Sequence, residues 1–388
     1  MNSVGIVILK AQKNYGVNEL EASILEAFKD LPIAIVSFFI ASLLPRIGYK
    51  KSMLIGLLLV SAACVMMYFG NSFSAAKVLF ATVGMSFALI KVSVYSLIGT
   101  VTASQKEHNS LMSSIEGVFM IGIALAYFLF PAFNSETDQN AWLNVYWFLA
   151  AVSMLSFSFL FFTKFPKQKE ISGIDLLDDF KQMFKLFAKL LTVVFVISTF
   201  LFVMIEQGIM TWLPTFNEKV LHLPENISIM MASILAISLA TGRLLAGLII
   251  KSINWIWVLT FCIIMAMLLL VFVLPLAVNL EVKDINSLSD IPLMGFAFPL
   301  VGLFIAPIYP LLNSVVLSAL PNKLHSSMTG LIVVFSALGG TLGARVIGYL
   351  FKNDGPENAF YYTLIPMLLL LFSFFILKIL TSKSWKSN

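Results

Sequence analysis

The sequence predicts an all-α polytopic membrane protein made of two related halves, and three observations carry that prediction. The 388 residues are 59% hydrophobic and 12% charged, where a soluble domain carries about 25% charged residues. Eleven apolar runs reach the length of a membrane-spanning helix, which takes about 20 residues. The halves also echo one another. KEHNS (106–110) and KLHSS (323–327) each open an apolar run, and Gly122 and Gly339 are separated by the same interval, as internally repeated carriers predict.

The runs are 22–44, 52–69, 76–98, 110–131, 142–163, 190–213, 227–250, 255–277, 292–318, 329–350 and 359–380. A shorter apolar piece, Ser3–Leu9, reads as a truncated first helix. It has neither the basic start nor the small-residue cleavage site of a signal peptide. If the repeat is carried back, the chain starts inside that helix. The expected organisation is a bundle over 1–163, a central loop over 164–189 and a second bundle over 190–388. The stretch DLLDDFKQMFKLF in that loop has a helical apolar stripe suited to the membrane surface.

Basic residues orient the chain. Fifteen Lys and Arg fall on the side that holds the central loop and the C-terminus, and six fall on the other. The positive-inside rule places the first side in the cytoplasm of a bacterial-type inner membrane. The net charge of +5 therefore needs no nucleic-acid partner. Cys64 and Cys262 lie inside apolar runs, which argues against a disulfide framework or a zinc site. Three histidines and no Gly-rich phosphate loop argue against a metalloenzyme or an ATP-driven pump. No cofactor, no metal and no enzymatic activity are expected.

The informative residues are the charges at membrane depth, because an ionised group there costs roughly 2.5–3.5 kcal/mol on insertion scales. VISTFLFVMIEQGIMTWLPTF (196–216) carries Glu206 and Gln207 near its middle, followed by Gly208, Trp212 and Pro214. Glu206 either closes an interhelical hydrogen bond or faces a water-filled cavity, where Trp212 would offer a flat face to a polar ring. Lys91, with Tyr95 one turn on, either binds an anionic solute or neutralises Glu116. Prolines 299, 307 and 310 loosen the run at 292–318. There Tyr309 and Asn313 share a face that lines a pore or caps a neighbouring helix. Lys29, Asp30, Arg243 and Arg345 complete the set.

Motifs add a resemblance. Ala41, Pro45, Arg46, Gly48 and Lys50 occupy the basic turn after the second span, and GRLLAG (242–247) follows an eighth-helix pattern. Together they resemble the major facilitator superfamily, although Pro45 stands where that turn has Asp. RIGYKKSMLIGLLL (46–59), IEQGIMTWLPTF (205–216), GLFIAPIYPLLNSVVLSALPN (302–322) and MTGLIVVFSALGG (328–340) are most similar to its fucose/galactose/glucose:proton symporter branch. Lys91 replaces a carboxylate of that branch. The resemblance implies two six-helix bundles, with the second helix facing the eleventh and the fifth facing the eighth. Asp30–Arg345 and Glu116–Arg243 lie at matching depths in those pairs and are candidate gates; the alternative is static pairing of Asp30 with Lys29 and of Glu116 with Lys91.

The expected activity is transport of a small polar solute, a monosaccharide, by proton symport. Glu206, Gln207, Trp212, Lys91, Tyr95, Tyr309 and Asn313 would bind the solute, and Glu206 or Glu116 would carry the proton. The alternatives are a sugar-acid or organic-anion carrier built on Lys91, and a membrane sensor that transports nothing. The partners are solute, proton and lipid, and the protein is expected to be a monomer.

Overall fold

Local sequence decides where the first helices stop. Helix α1 (Val4–Tyr15) ends at Gly16, whose φ of 64° is open to glycine and costly for residues with a β-carbon. Asn18 then caps α2 (Glu19–Ala22). Its Oδ1 accepts the Glu21 N–H at 3.0 Å, and the Glu21 carboxylate accepts the Asn18 N–H at 3.0 Å, a reciprocal capping box. Helix α3 (Ile24–Ile47) follows and ends at Gly48, where a φ of 88° turns the chain into α4 (Tyr49–Gly70). Lys50 of the basic turn donates from Nζ to the Phe161 and Thr163 carbonyls at 2.7 and 2.8 Å. A cation at these end carbonyls satisfies groups the helix leaves open.

The protein's structure, a computed structural model, describes residues 3–101, 105–135, 137–165, 185–249, 254–278, 287–318 and 325–384. The remaining long elements of the first half are α5 (Phe73–Val101), α6 (Gln105–Ala132) and α7 (Asn144–Phe162). The second half holds α8 (Leu190–Lys219), α9 (Glu225–Ile249) and α10 (Trp255–Val278). It continues with α11 (Val301–Ile305), α12 (Ile308–Ser318), α13 (His325–Asn353), α14 (Pro356–Ala359) and α15 (Leu364–Ser384). The surface helix expected in the central loop lies largely outside the described residues.

Among the described residues nine helical segments are long and apolar enough to cross a membrane. The expected spans at 22–44 and 110–131 are not among these nine and fall on α3 and α6. Helices α3 and α6 have 24 and 28 residues, enough for a hydrocarbon core of about 30 Å. However, α3 carries Glu26, Lys29 and Asp30 in its first two turns. The run at 292–318, expected to be loosened by its prolines, is interrupted briefly. Short 3₁₀ turns lead into α11, and a break at Ala306–Pro307 separates it from α12.

Helices α3, α4, α5 and α7 pack together, and α8 is the hub of the second half, touching α13, α15, α9 and α1. Most of α8 is buried, as expected of a helix apolar on all sides. Two contacts join the halves as the resemblance implied: α3 lies on α13 and α6 on α9. Small polar residues stitch the interfaces. The Ser86 hydroxyl donates to the Gly56 carbonyl at 2.6 Å, and Ser198 and Ser373 are 2.8 Å apart, contacts typical of helices in lipid. Phe69, Phe159, Phe162, Leu244, Phe272 and Phe372 face outward, an apolar exterior that fits hydrocarbon.

Candidate functional site: the seam between the halves

The seam is tied at one face. Lys10 of α1 pairs with Glu225 at the start of α9. Lys13 pairs with Glu218 and, at 2.9 Å, with Glu225. Lys219 at the end of α8 pairs with Glu19 of α2. Asn134 donates to Glu225 at 3.4 Å and also to Asn226. The Arg345 guanidinium of α13 donates to the Leu20 carbonyl at 2.9 Å. Each of these contacts joins one half to the other. Burial alone would raise the Glu19 carboxyl, but the Lys219 ammonium bonded to it holds it below its ordinary range.

Toward the other face the surfaces of α3 and α13 leave a gap. Between them lies a wholly apolar cleft of about 400 Å³ lined by Phe38, Phe39, Phe187, Leu331 and Phe335, among others. The two helices touch where Asp30 and the Gln207 side chain of α8 both lie against Gly340.

Glu206, at the centre of α8, is paired. Its Oε1 accepts from Arg243 Nη2 of α9 at 3.0 Å. The carboxylate is largely buried, while Arg243 keeps about a third of its side chain exposed. Glu206 is thus one carboxylate at Arg243. Glu116, expected there as the gate and on Lys91 as the alternative, sits on α6 with its side chain outside the described residues. The Asp30–Arg345 pair is not formed in this conformation. Arg345 is spent on the Leu20 carbonyl, and Asp30 lies 3.4 Å from Lys29.

Trp212, expected to present a flat face to solute, is enclosed. Its indole N–H donates to the Ala344 carbonyl at 2.8 Å, and its ring packs on Phe351 at 5.0 Å. It locks α8 onto α13. Lys91 sits over two rings, Phe87 at 5.3 Å and Tyr95 at 5.2 Å, within cation–π range. On α12 Tyr309 tilts against Phe202 at 5.7 Å, with its hydroxyl 3.4 Å from Ser336. Four residues on, Asn313 buries an Oδ1 that has no hydrogen-bond partner among the described residues, an open acceptor.

One charged residue escaped the sequence reading. Glu26 is fully buried, pairs with Lys29 and accepts from the Thr211 hydroxyl of α8 at 3.3 Å. It stands at the edge of the 22–44 run, where a carboxylate reads as an interfacial anchor. The spacing Glu26–Lys29, three apart on one helix face, was the available signal. Among the described residues no group of His, Cys, Asp and Glu is arranged to hold a metal ion.

The sequence profile of the Major Facilitator Superfamily matches residues 1–344. The chain belongs to that superfamily. It is thus a multi-pass membrane transport protein rather than an enzyme. No curated protein sequence matches it significantly. Solved structures share its fold at low identity. A bacterial homologue of the human lysosomal transporter Spinster, in an inward-facing and unoccupied conformation, superposes with a TM-score of 0.76 at 12% identity, covering 99% of this chain and 94% of its own. The nucleoside transporter NupG gives 0.75 at 15% identity, covering 97% and 95%. The E. coli fucose:proton symporter FucP, in its outward conformation, gives 0.65 at 13% identity, covering 97% and 95%.

Proposed function

We propose that this superfamily member is a secondary active transporter that moves a small polar solute, most simply a monosaccharide, together with a proton by alternating access. Residues 1–163 and 190–388 act as two pseudo-symmetric bundles of a monomer in a bacterial-type inner membrane. The central loop and the C-terminus face the cytoplasm. The observation that carries this reading is the asymmetry of the seam, tied by ion pairs at one face and holding an apolar cleft toward the other. Ion pairs that exist in one state only bias the equilibrium between two conformations. Under the positive-inside assignment the tied face is external, so this conformation is inward-facing.

The solute contacts follow from the polar groups that the seam offers. The Asn313 carbonyl oxygen, the Tyr309 hydroxyl and the Gln207 amide supply hydrogen-bonding groups for hydroxyls, and Tyr95 supplies an aromatic wall beside Lys91. Glu206 exchanges its bond to Arg243 for a proton or a solute hydroxyl, and Glu116 is the second titrating candidate. Trp212 acts on the solute only through the position of α8. Two of the similar structures are named for fucose and for nucleosides, which agrees with a polyhydroxylated solute.

The test is solute-induced proton movement in weakly buffered, de-energised cells that express the chain. Fucose, galactose and glucose are offered beside a hexuronic acid. Alkalinisation with one neutral sugar, lost in Glu206→Gln, is expected. A response to the acid sugar alone, lost in Lys91→Met, replaces this reading with an organic-anion carrier. Silence from a folded protein removes sugar and sugar acid together.

A further inference from the structure

The two buried charge centres of the seam differ in their balance. Glu206 and Arg243 are one carboxylate and one guanidinium. The centre on α3 holds two carboxylates, Glu26 and Asp30, and one ammonium, Lys29, which contacts both. All three residues are buried, so with both acids ionised the seam encloses one uncompensated negative charge.

Among the described residues the surroundings add no cation. From α8 come the Thr211 hydroxyl, 3.3 Å from Glu26 Oε2, and the Gln207 side chain beside Asp30. From α6 comes Tyr127, a neutral phenol within electrostatic reach of Glu26. From α13 come Gly340, pressed against Asp30, and Arg345, whose guanidinium is held by the Leu20 carbonyl. From α5 comes Gly84, packed on the Lys29 backbone. Among the described residues Lys29 is the sole ion-pair partner of either carboxylate. An uncompensated charge is costly in a low-dielectric seam, and a carboxyl so placed takes a proton instead.

We propose that Glu26 and Asp30 share one proton whenever the tied face is closed, and that closing this face takes the proton up from the side it seals. The inference rests on the alternating-access reading. In the opposite conformation α3 parts from α8 and α13, water reaches both carboxylates, and both ionise. Closure returns them to the dry seam only after one is neutralised. A pair that interacts this closely titrates as a unit, so the proton belongs to both residues. The Glu206–Arg243 centre, already neutral, needs no proton to stay buried.

The test is the pH dependence of closure in the full chain in lipid nanodiscs. Spin labels are placed at Gln139→Cys and Asn358→Cys, exposed sites of the two halves. Pulsed dipolar spectroscopy then reads the ratio of closed to open populations. Between the carboxyl pKa values of the open and closed states, the closed state binds one proton more. The ratio therefore rises by about tenfold per unit of acidification, following proton linkage. Asp30→Asn and Glu26→Gln each remove the excess charge without changing side-chain size and flatten that slope.

A wild-type ratio independent of pH, a slope unchanged in both α3 variants, or closure driven by sodium at fixed pH overturns the proposal. Uptake into proteoliposomes separates it from the reading beneath it. Gradient-driven uptake without a pH slope sinks the shared proton and leaves symport standing. A slope that vanishes in the α3 variants, with no gradient-driven uptake, supports the proton site and sinks symport.

Discussion

Arg243→Ala leaves the Glu206 carboxylate buried without its guanidinium. Removing one member of a buried pair costs about 3–5 kcal/mol where both are dry, and the partial exposure of Arg243 brings this to about 2 kcal/mol. The expected outcome is a lower unfolding temperature in detergent, recovered at least in part by adding Glu206→Gln, which removes the stranded charge. Equal losses in the single and double variants contradict the pairing. Trp212→Phe makes a second test. It deletes the N–H that satisfies the Ala344 carbonyl and costs about 1–2 kcal/mol, with solute affinity unchanged. A large loss of affinity at intact stability returns the indole to the solute. Both residues stood out in the sequence as polar groups in an apolar run. Which groups they meet did not, because partners 37 and 132 positions away are set by helix packing. Glu26 fails for the same reason. Its depth is fixed by α2 and by the contact of α3 with α8, and hydropathy sees neither.

Helices α8 and α13 share the most extensive contact among the described residues, and glycine permits it. A β-carbon at Gly343 would collide with the Met204 backbone carbonyl, whereas one at Gly340 would meet the Asp30 carboxylate. A backbone carbonyl cannot turn away, and a side-chain end can. Gly343→Ala should therefore force α13 off α8 and destabilise the protein by about 1–3 kcal/mol, the usual cost of overpacking. Gly340→Ala should leave the unfolding temperature nearly unchanged and instead favour the open form of the tied face, read by the same spin labels. Equal unfolding temperatures for the two variants refute the distinction. At this scale the sequence was most legible. Long apolar runs became long helices, and the SALGG and TLGA glycines serve close packing as expected of small residues in membranes. The prolines around 307 announced a weakened helix. Whether they bend or break it depends on how far neighbours satisfy the freed carbonyls, which hydropathy does not record.

Across the whole molecule, the tied face and the α3 centre respond to acid with opposite signs. With the face closed, Lys219 holds the Glu19 carboxyl below its ordinary range; with the face open, Glu19 is free and titrates normally. The open state then binds more protons at acid pH, so acid favours opening. The stabilisation from this pair is complete above the ordinary carboxylate range and is lost as pH falls through the lowered pKa. The pair is partly exposed, and its effect is modest and weakened by salt. The α3 centre works in the other sense at higher pH, where closure gains as pH falls. The closed population should therefore pass through a maximum, rising on acidification from alkaline pH and falling again below the carboxylate range. Lys219→Met should weaken the acid limb and leave the alkaline limb in place, whereas Asp30→Asn should do the reverse. A single monotonic curve, or two limbs that move together in either variant, would mean that both ends of the seam titrate as one system. The division between a surface clasp and a buried proton site would then be wrong.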